Sequence, residues 1–260
     1  MDLTRIQPGN PKPRFFRLEE DSAAINRYGF NSLGHGYTLG RLRTRLVEFS
    51  RQNPSLFPSP LPSNPLPPSS LPRSLRPGHM LAVNLGKNKS SPAVSNDDYI
   101  RGVRMLGPYA DVVVINVSSP NTPGLRALQG RDILEKLLKE VVAERDRLAG
   151  GSGLPKIAVK VACDLSEDEL GDVASAVRGS GVEGVIISNT TVRREGLGLK
   201  SSMSFENSGD AAYVYSEPKR GWRTFWQTPL SPCITRSSNP TTSPSPFNTH
   251  HRLRRRDYRC

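Results

Sequence analysis

The sequence predicts an α/β fold of the (β/α)8, or TIM, barrel type. Between residues 81 and 189, short apolar runs alternate with longer stretches of helical periodicity. Nearly continuous apolar strands joined by helices indicate a parallel sheet covered on both faces, which leaves a doubly wound sheet or a barrel. Each run has a polar residue at or next to its C-terminal end, and no Gly-x-Gly-x-x-Gly motif follows the first one. A barrel carries its chemistry at the C-terminal ends of many strands at once, so these polar strand ends favour the barrel.

Four strands and three helices account for the pattern. DVVVIN at 111–116 is rich in β-branched residues, as a buried strand is. The helix at 131–148 has six apolar residues between Ile133 and Val142 that are expected on one face. Asn96 is the predicted N-cap of the helix before it, and Ser166 and Glu169 predict a capping box for the helix after it. The strands are predicted near 81–85, 112–116, 157–161 and 184–188, and the helices at 96–106, 131–148 and 167–178.

Two segments flanking this pattern have the composition of disordered chain. Residues 53–78 contain nine prolines, which favour extended polyproline conformations without a hydrogen-bond ladder. We expect a flexible insertion without packed contacts, and favour a plain spacer over a PxxP site for an SH3-like module. In residues 201–260, Ser, Thr and Pro make up 22 of 60 positions with no apolar period. We expect this tail to be disordered and to lack packed contacts.

The charge distribution argues against a nucleic-acid-binding protein. The formal net charge is +12, but residues 80–200 hold 16 Lys and Arg against 15 Asp and Glu. The basic excess therefore lies in the flanks and the tail, where solvated chain is the favoured explanation. We favour this explanation over the alternative, in which the basic C-terminal end contacts nucleic acid or acidic lipid.

Cysteine usage and apolar runs exclude further classes. The three cysteines, Cys163, Cys233 and Cys260, are far apart and odd in number. This argues against a disulfide scaffold and a zinc site, so no metal site is predicted. No apolar run approaches the length of a transmembrane helix, and the N-terminus has neither a signal core nor an amphipathic presequence.

Five motifs at loops and strand ends carry a family resemblance. The motifs are, in chain order, INRYGFNS (25–32), LAVNLGKNK (81–89), INVSSPNTPGLRALQG (115–130), AVKVACDL (158–165) and ISNTTV (187–192). With these motifs, the sequence from about residue 6 to about residue 200 resembles class 2 dihydroorotate dehydrogenase, the quinone-dependent, membrane-associated type. The resemblance implies an FMN-containing TIM barrel, an oxidoreductase that converts dihydroorotate to orotate in de novo pyrimidine (UMP) biosynthesis. It also implies quinone as the electron acceptor and the surface of the mitochondrial inner membrane as the location.

The resemblance assigns the catalytic base to Ser119. Oxidation of a ring C–C bond needs a base for the proton and an acceptor for the hydride, and no side chain accepts hydride. Ser119 matches the family's base, and serine in place of the cysteine of class 1 enzymes points to class 2. A serine is a weak base that needs a proton relay and a dry, closed loop. Taken alone, this loop would be read as a turn rich in Ser, Pro and Asn.

Lys160 stands inside the apolar strand IAVKV. A buried ammonium needs an anionic partner, and in the family this lysine faces the flavin ring; the alternative is a lysine that snorkels from an edge strand. By resemblance, FMN contacts are assigned to Asn84, Asn116, Lys160 and Ser188. Substrate contacts are assigned to Asn26, Arg27, Tyr28, Gly29, Phe30, Asn116, Asn121, Asn189 and Thr190.

The resemblance covers about four of the eight βα units of the family's barrel. Neither the first strand nor the Gly-rich loops that hold the FMN phosphate can be found in the sequence, nor can the targeting and membrane segments. We therefore expect a form truncated at both ends, with little FMN binding by itself. Alternatives left open are a non-enzymatic remnant that binds no FMN and a related flavin barrel acting on RNA uridines.

The expected organisation is an N-terminal barrel segment with the substrate loop (1–52), a Pro-rich disordered insertion (53–79), the central βα units of the FMN barrel (80–200) and a divergent tail (201–260).

Overall fold

Residues of the N-terminal region form two small antiparallel pairs and a long helix. Leu18 and Ile25 lie on the two paired strands of a hairpin and are both buried, which gives this region a small core of its own. The computed structural model describes residues 6–92, 94–118, 130–148, 153–188, 190–191 and 200, together with the backbone of 213–216 and 225–226. The elements are β1 (Gln7–Pro8), β2 (Phe15–Leu18), β3 (Ala23–Asn26), β4 (Asn31–Ser32) and α1 (Gly34–Gln52), with β1 paired to β4 and β2 paired to β3.

The Pro-rich segment packs against the rest of the chain at its C-terminal end. Leu75 is 7% exposed and lies in a cluster with Leu46 of α1 and with Tyr109. Arg73 is 6% exposed, and its main-chain N–H donates to Oδ1 of Asp111 at 2.8 Å. The expectation of a spacer without packed contacts is therefore wrong for residues 73–75. The composition did not show it because the anchoring carboxylate lies 38 residues further along the chain.

A parallel sheet of four strands forms the centre of the fold, as predicted. Its strands are adjacent in chain order, and the inner strand β6 is buried at all five positions. The expected β-α order is observed, and the fold is part of an α/β barrel. The elements are β5 (Ala82–Leu85), α2 (Asp97–Leu106), β6 (Val112–Asn116), α3 (Arg131–Asp146), β7 (Lys156–Val161), α4 (Glu167–Ser180) and β8 (Gly184–Ile187).

The three helices cover one face of this sheet. Alternate strand residues such as Val113, Ile115 and Val159 share one apolar core with helix residues such as Val103 and Leu137. The opposite face carries a separate, smaller cluster, whose members are the strand residues that alternate with those of the helix-covered face. That cluster contains Val112, Val114 and Ala158, with Ile186 packed against it. The period-2 alternation of the strands therefore separates a helix-covered face from an inner face.

Helix ends and faces differ from expectation at two positions. Ser166 and Glu169 form the predicted capping box at the start of α4. Asn96 occupies the N-cap of α2, but its side-chain amide donates to Oε2 of Glu140 at 2.8 Å instead of bonding to its own helix. Ile133 is 52% exposed, because it stands outside the i, i+3, i+4, i+7 stripe that α3 buries.

The segment after residue 200 contributes backbone pairing to the central sheet and to the sheet of β2 and β3. β9 (Tyr213–Ser216) pairs antiparallel with β3, and β10 (Phe225–Trp226) pairs antiparallel with β8. The expected lack of contacts is therefore wrong for these two strands. Both strands have aromatic or β-branched residues, which suit a sheet edge, but they are too short for a period to show. No helix in the described part of the chain is both long and apolar enough to cross a membrane.

Candidate active site

Three of the predicted site residues project from the inner face of the sheet. Asn84, Asn116 and Lys160 have the parity of the small inner cluster, opposite to that of the residues that pack on the helices. Asn116 is directly opposite Lys160 in the β6–β7 register. Asn84 is paired with Val114, one same-face position before Asn116. All three stand at or near the C-terminal ends of adjacent parallel strands, where a barrel places its chemistry.

A buried hydrogen-bond network joins the ends of β6 and β7. The ammonium of Lys160 donates to the hydroxyl oxygen of Ser118 at 2.9 Å. The Ser118 hydroxyl donates to Oδ1 of Asn116 at 2.8 Å, and the Ser118 main-chain N–H donates to the same oxygen at 3.1 Å. Ser118 is fully buried and Asn116 is 6% exposed. The network therefore holds a cation and an amide rigidly at one edge of the sheet.

Lys160 is placed where its positive charge is poorly solvated. Burial lowers the pKa of Lys160, and the nearby Cys163 thiol offsets part of this effect. The alternative of a snorkelling edge lysine does not hold, because β7 lies between β6 and β8 and the ammonium bonds to a fully buried serine. A desolvated ammonium of this kind favours binding of a group that carries or gains negative charge.

The loops after β7 and β8 are linked beside the network. The Thr191 hydroxyl donates to Oδ1 of Asp164 at 2.6 Å. Ser188 directly follows β8 and is half-buried. Thr190 is half-buried in the same loop. Ser119, Asn121 and Asn189 lie outside the described residues.

The predicted substrate segment 26–30 is held by the N-terminal loop. The main-chain N–H of Arg27 donates to the Arg14 carbonyl at 2.9 Å, and its guanidinium donates to the Pro13 carbonyl at 2.9 Å. The carbonyl of Tyr28 accepts from the main-chain N–H of Asn10 at 2.9 Å. The Arg27 guanidinium is thus engaged on the N-terminal loop. Asn26 ends β3, and Gly29 has a φ of +67°, a left-handed conformation that suits glycine.

Phe30 brings this segment to the exit of β5. The Phe30 ring lies so close to Gly86 that a Cβ atom on Gly86 would be 2.8 Å from it. A cavity of ≈ 210 Å³ opens here, and both Phe30 and Asn84 line it. The structure therefore brings one residue of the substrate segment and one residue assigned to FMN to the same cavity. Other lining residues include His35, Thr38 and Asn88.

The sequence analysis did not identify two buried charged residues, Lys87 and Asp98, at the loop that follows β5. Asp98 is buried, and its Oδ2 accepts from the Asn88 main-chain N–H and from the Ser91 hydroxyl, both at 2.7 Å. Lys87 is also buried; burial lowers its pKa and the charge of Asp98 opposes that shift. The available signal was the GKNK sequence, which places a lysine directly after an apolar strand.

Comparisons with known proteins converge on one family. The family model described as dihydroorotate dehydrogenase matches residues 3–211. The chain is 47% identical over 208 residues to the mitochondrial dihydroorotate dehydrogenase (quinone) of Schizosaccharomyces pombe, covering 78% of this chain and 46% of that protein. It is 45% identical over 203 residues to the mouse protein of the same name, covering 78% and 45%.

A solved structure agrees with these sequence matches. The ligand-free DHODH from Eimeria tenella superposes with a TM-score of 0.64 and 33% identity, over 81% of this chain and 54% of that one. The chain therefore spans about half the length of the relatives it matches.

Proposed function

This chain belongs to the dihydroorotate dehydrogenase family, and on that premise we propose that it supplies the ring-binding βα units of an FMN-dependent enzyme that oxidises dihydroorotate to orotate. The observation that carries the proposal is the Asn116–Ser118–Lys160 network on the inner face, with Asn84 on the same face one strand away. In the proposed enzyme a quinone is the electron acceptor and the reaction belongs to pyrimidine biosynthesis. We further propose a mitochondrial location, following the names of its relatives, and within it the surface of the inner membrane, following the family resemblance.

The donor set on the inner face fits a flavin ring. An isoalloxazine ring offers carbonyl oxygens and unprotonated nitrogens in one plane, and it gains negative charge when it is reduced. Lys160 provides a desolvated ammonium, while Asn84 and Asn116 provide amides that donate and accept. FMN, when bound, supplies the hydride acceptor that no side chain can replace. The part of this chain is to hold the ring by these three residues and to place positive charge beside it.

The substrate is proposed to lie between the flavin site and the segment 26–30. Orotate presents imide N–H, carbonyl and carboxylate groups in a plane, and amide side chains match such edges. Asn26, Phe30 and Thr190 are the described candidates for these contacts, with Asn121 and Asn189 proposed to complete them. We keep Tyr28 and Gly29 as proposed main-chain contacts, and Arg27 as a residue that orders the segment by its bonds to the N-terminal loop.

Ser119 is proposed as the base that takes the proton from dihydroorotate. It directly follows Ser118, whose side chain is already fixed by Lys160 and Asn116. In a chain extended to all eight βα units of the family's barrel, replacement of Ser119 by alanine should leave flavin binding intact and slow flavin reduction by dihydroorotate by at least about 100-fold, the usual contribution of a positioned base.

Binding of the flavin ring is the direct test. We would titrate the chain with FMN and with riboflavin, which lacks the phosphate, and follow flavin fluorescence. Because the proposed contacts reach the ring and not the phosphate, both ligands should bind weakly and with similar affinity, and Lys160→Met should weaken both about tenfold or more. Lys156→Met, in the same strand with a 60% exposed side chain, is the matched control and should bind as the parent does. Absence of saturable binding, or binding that ignores Lys160, would favour the alternative of a remnant that holds no flavin.

A further inference from the structure

The direction of the hydrogen bonds around Ser118 can be deduced from donor chemistry. A lysine ammonium has three donors and no acceptor, so the Ser118 hydroxyl oxygen must accept from Lys160. The hydroxyl hydrogen of Ser118 is then available for Oδ1 of Asn116, which is 2.8 Å away. The Ser118 main-chain N–H, 3.1 Å from the same oxygen, can only donate.

These bonds also define which end of the Asn116 amide is which. An amide NH₂ in the place of Oδ1 would face the main-chain N–H of Ser118, which can only donate, and this is unfavourable in a buried site. The carbonyl end of the Asn116 side chain therefore points to Ser118, and its NH₂ end points away from Ser118. A ligand beside Asn116 consequently meets a donor.

We infer that Ser118 is a positioning residue, which orients one hydrogen-bond chain from Lys160 to Asn116 so that the site presents an ammonium and an amide NH₂ together. Both groups then donate, and the ligand atoms that suit them are acceptors, such as carbonyl oxygens or unprotonated ring nitrogens. The assignment of that ligand to a flavin ring rests on the proposed function. The inference that Ser118 orients the hydrogen-bond chain does not rest on the proposed function.

Burial makes this arrangement specific. Ser118 is fully buried, and its partner Asn116 is 6% exposed, so water cannot substitute easily for the serine hydroxyl. Without that hydroxyl, the ammonium loses an acceptor in a place where burial already lowers the pKa of Lys160. The unprotonated amine should then be more populated at a given pH.

Competitive acetylation of lysines tests this on the unloaded chain. Acetic anhydride reacts with the unprotonated amine, and mass spectrometry of the digested full chain gives a rate for each lysine at each pH. In Ser118→Ala, the labelling curve of Lys160 should move to lower pH, with a rise of about tenfold in rate below its midpoint. Ser118→Thr keeps the hydroxyl and should restore the curve of the parent. Lys156 serves as the internal reference, since it lies in the same strand with an exposed side chain.

Matched variants separate the inference from general loosening. Ser180→Ala removes another buried serine hydroxyl, whose bond goes to the Val177 carbonyl at 3.0 Å, and should leave Lys160 labelling unchanged. Equal labelling of Lys160 in Ser118→Ala and in Ser180→Ala would overturn the inference, as would a threonine variant that behaves like the alanine variant. If Ser118→Ala fails to fold, Ser118→Cys takes its place. Its weakly accepting thiol should give an intermediate curve, and a curve equal to that of the parent would overturn the inference.

Acetylation in the presence of riboflavin distinguishes this inference from the proposed flavin site. Riboflavin should protect Lys160 from acetylation in the parent chain and protect it less in Ser118→Ala. A shift of the unloaded curve without any protection by riboflavin would leave the orientation by Ser118 supported and count against the flavin site. Protection by riboflavin without a shift of the labelling curve of the unloaded protein would support the flavin site and overturn the orientation by Ser118.

Discussion

The hydroxyl of Tyr99 donates a hydrogen bond to the main-chain carbonyl oxygen of Asn116 at a distance of 3.0 Å. Tyr99 lies in α2 and is fully buried, and Asn116 is the last residue of β6. Burial raises the pKa of Tyr99, so the phenol remains a donor over the ordinary pH range. The bond ties a helix of the outer layer to the strand end that bears the candidate site.

Tyr99→Phe should destabilise the chain through this one bond. The ring still fills its place in the core, while the buried carbonyl of Asn116 loses its partner, at a cost of about 1–3 kcal/mol. Urea unfolding followed by circular dichroism would measure the loss. Tyr37→Phe removes a hydroxyl from a half-exposed ring and should change stability by less than about 0.5 kcal/mol. Equal stability of the two variants would show that the bond contributes nothing.

Lys160→Met should raise thermal stability while it weakens flavin binding. Burial lowers the pKa of Lys160 in the folded chain. At pH values between the pKa of Lys160 in the folded chain and its pKa in the unfolded chain, the unfolded chain therefore binds more protons. Stability of the parent therefore rises with pH through that window, and the charged lysine costs stability below it. The melting temperature of Lys160→Met should exceed that of the parent at neutral pH, by about 2–4 °C for each kcal/mol gained.

The difference in melting temperature should shrink as pH approaches the ordinary lysine pKa. Scanning calorimetry between neutral and alkaline pH measures it, with Lys156→Met as the exposed control. A variant that melts below the parent at neutral pH would mean that the bond to Ser118 outweighs the desolvation of the ammonium.

Asp111→Ala should release the end of the Pro-rich segment. Oδ1 of Asp111 accepts from the Arg73 N–H at 2.8 Å, and Oδ2 accepts from the Leu81 N–H at 2.7 Å and from the Ser74 N–H at 3.3 Å. Loss of several charge-assisted bonds should cost about 3 kcal/mol or more. Limited trypsin cleavage after Arg73 should become faster, and urea unfolding should give the stability loss. Asp172→Asn, at an exposed site of α4, should cleave and unfold as the parent does.

Two glycine substitutions should have opposite effects. A Cβ atom on Gly86 would lie 2.8 Å from the Phe30 ring, so Gly86→Ala should cost about 1–3 kcal/mol and displace that ring. Gly40 lies within α1 and has open space around the Cβ position, so Gly40→Ala should stabilise by about 0.5–1 kcal/mol. Phe30→Ala should remove most of the penalty at residue 86 in a double-mutant cycle. Additive effects of the two changes would show that the ring is not what opposes the added methyl group.

The local rules of helix and strand were sufficient for the central βα units. Four of the five consecutive buried residues in β6 follow from its β-branched run, and the capping box of α4 follows from Ser166 and Glu169. The parity of a strand also predicts that Asn116 and Lys160 share a face once their register is known, because side chains alternate along a strand. Motifs rather than periodicity led to the assignments at Ser119, Asn121 and Asn189, which remain predictions.

Contacts between distant residues were decided only by the tertiary structure. Ser118 and Lys160 are 42 residues apart, and Arg73 and Asp111 are 38 apart. Neither pair has a local signal, since each depends on how strands and loops are brought side by side. The proline content of residues 53–78 and the irregular composition after residue 200 predicted chain without contacts, whereas Leu75 enters a core and Tyr213–Ser216 extends a sheet. Composition describes what a segment can satisfy by itself; burial and pairing depend on partners that only the folded chain supplies.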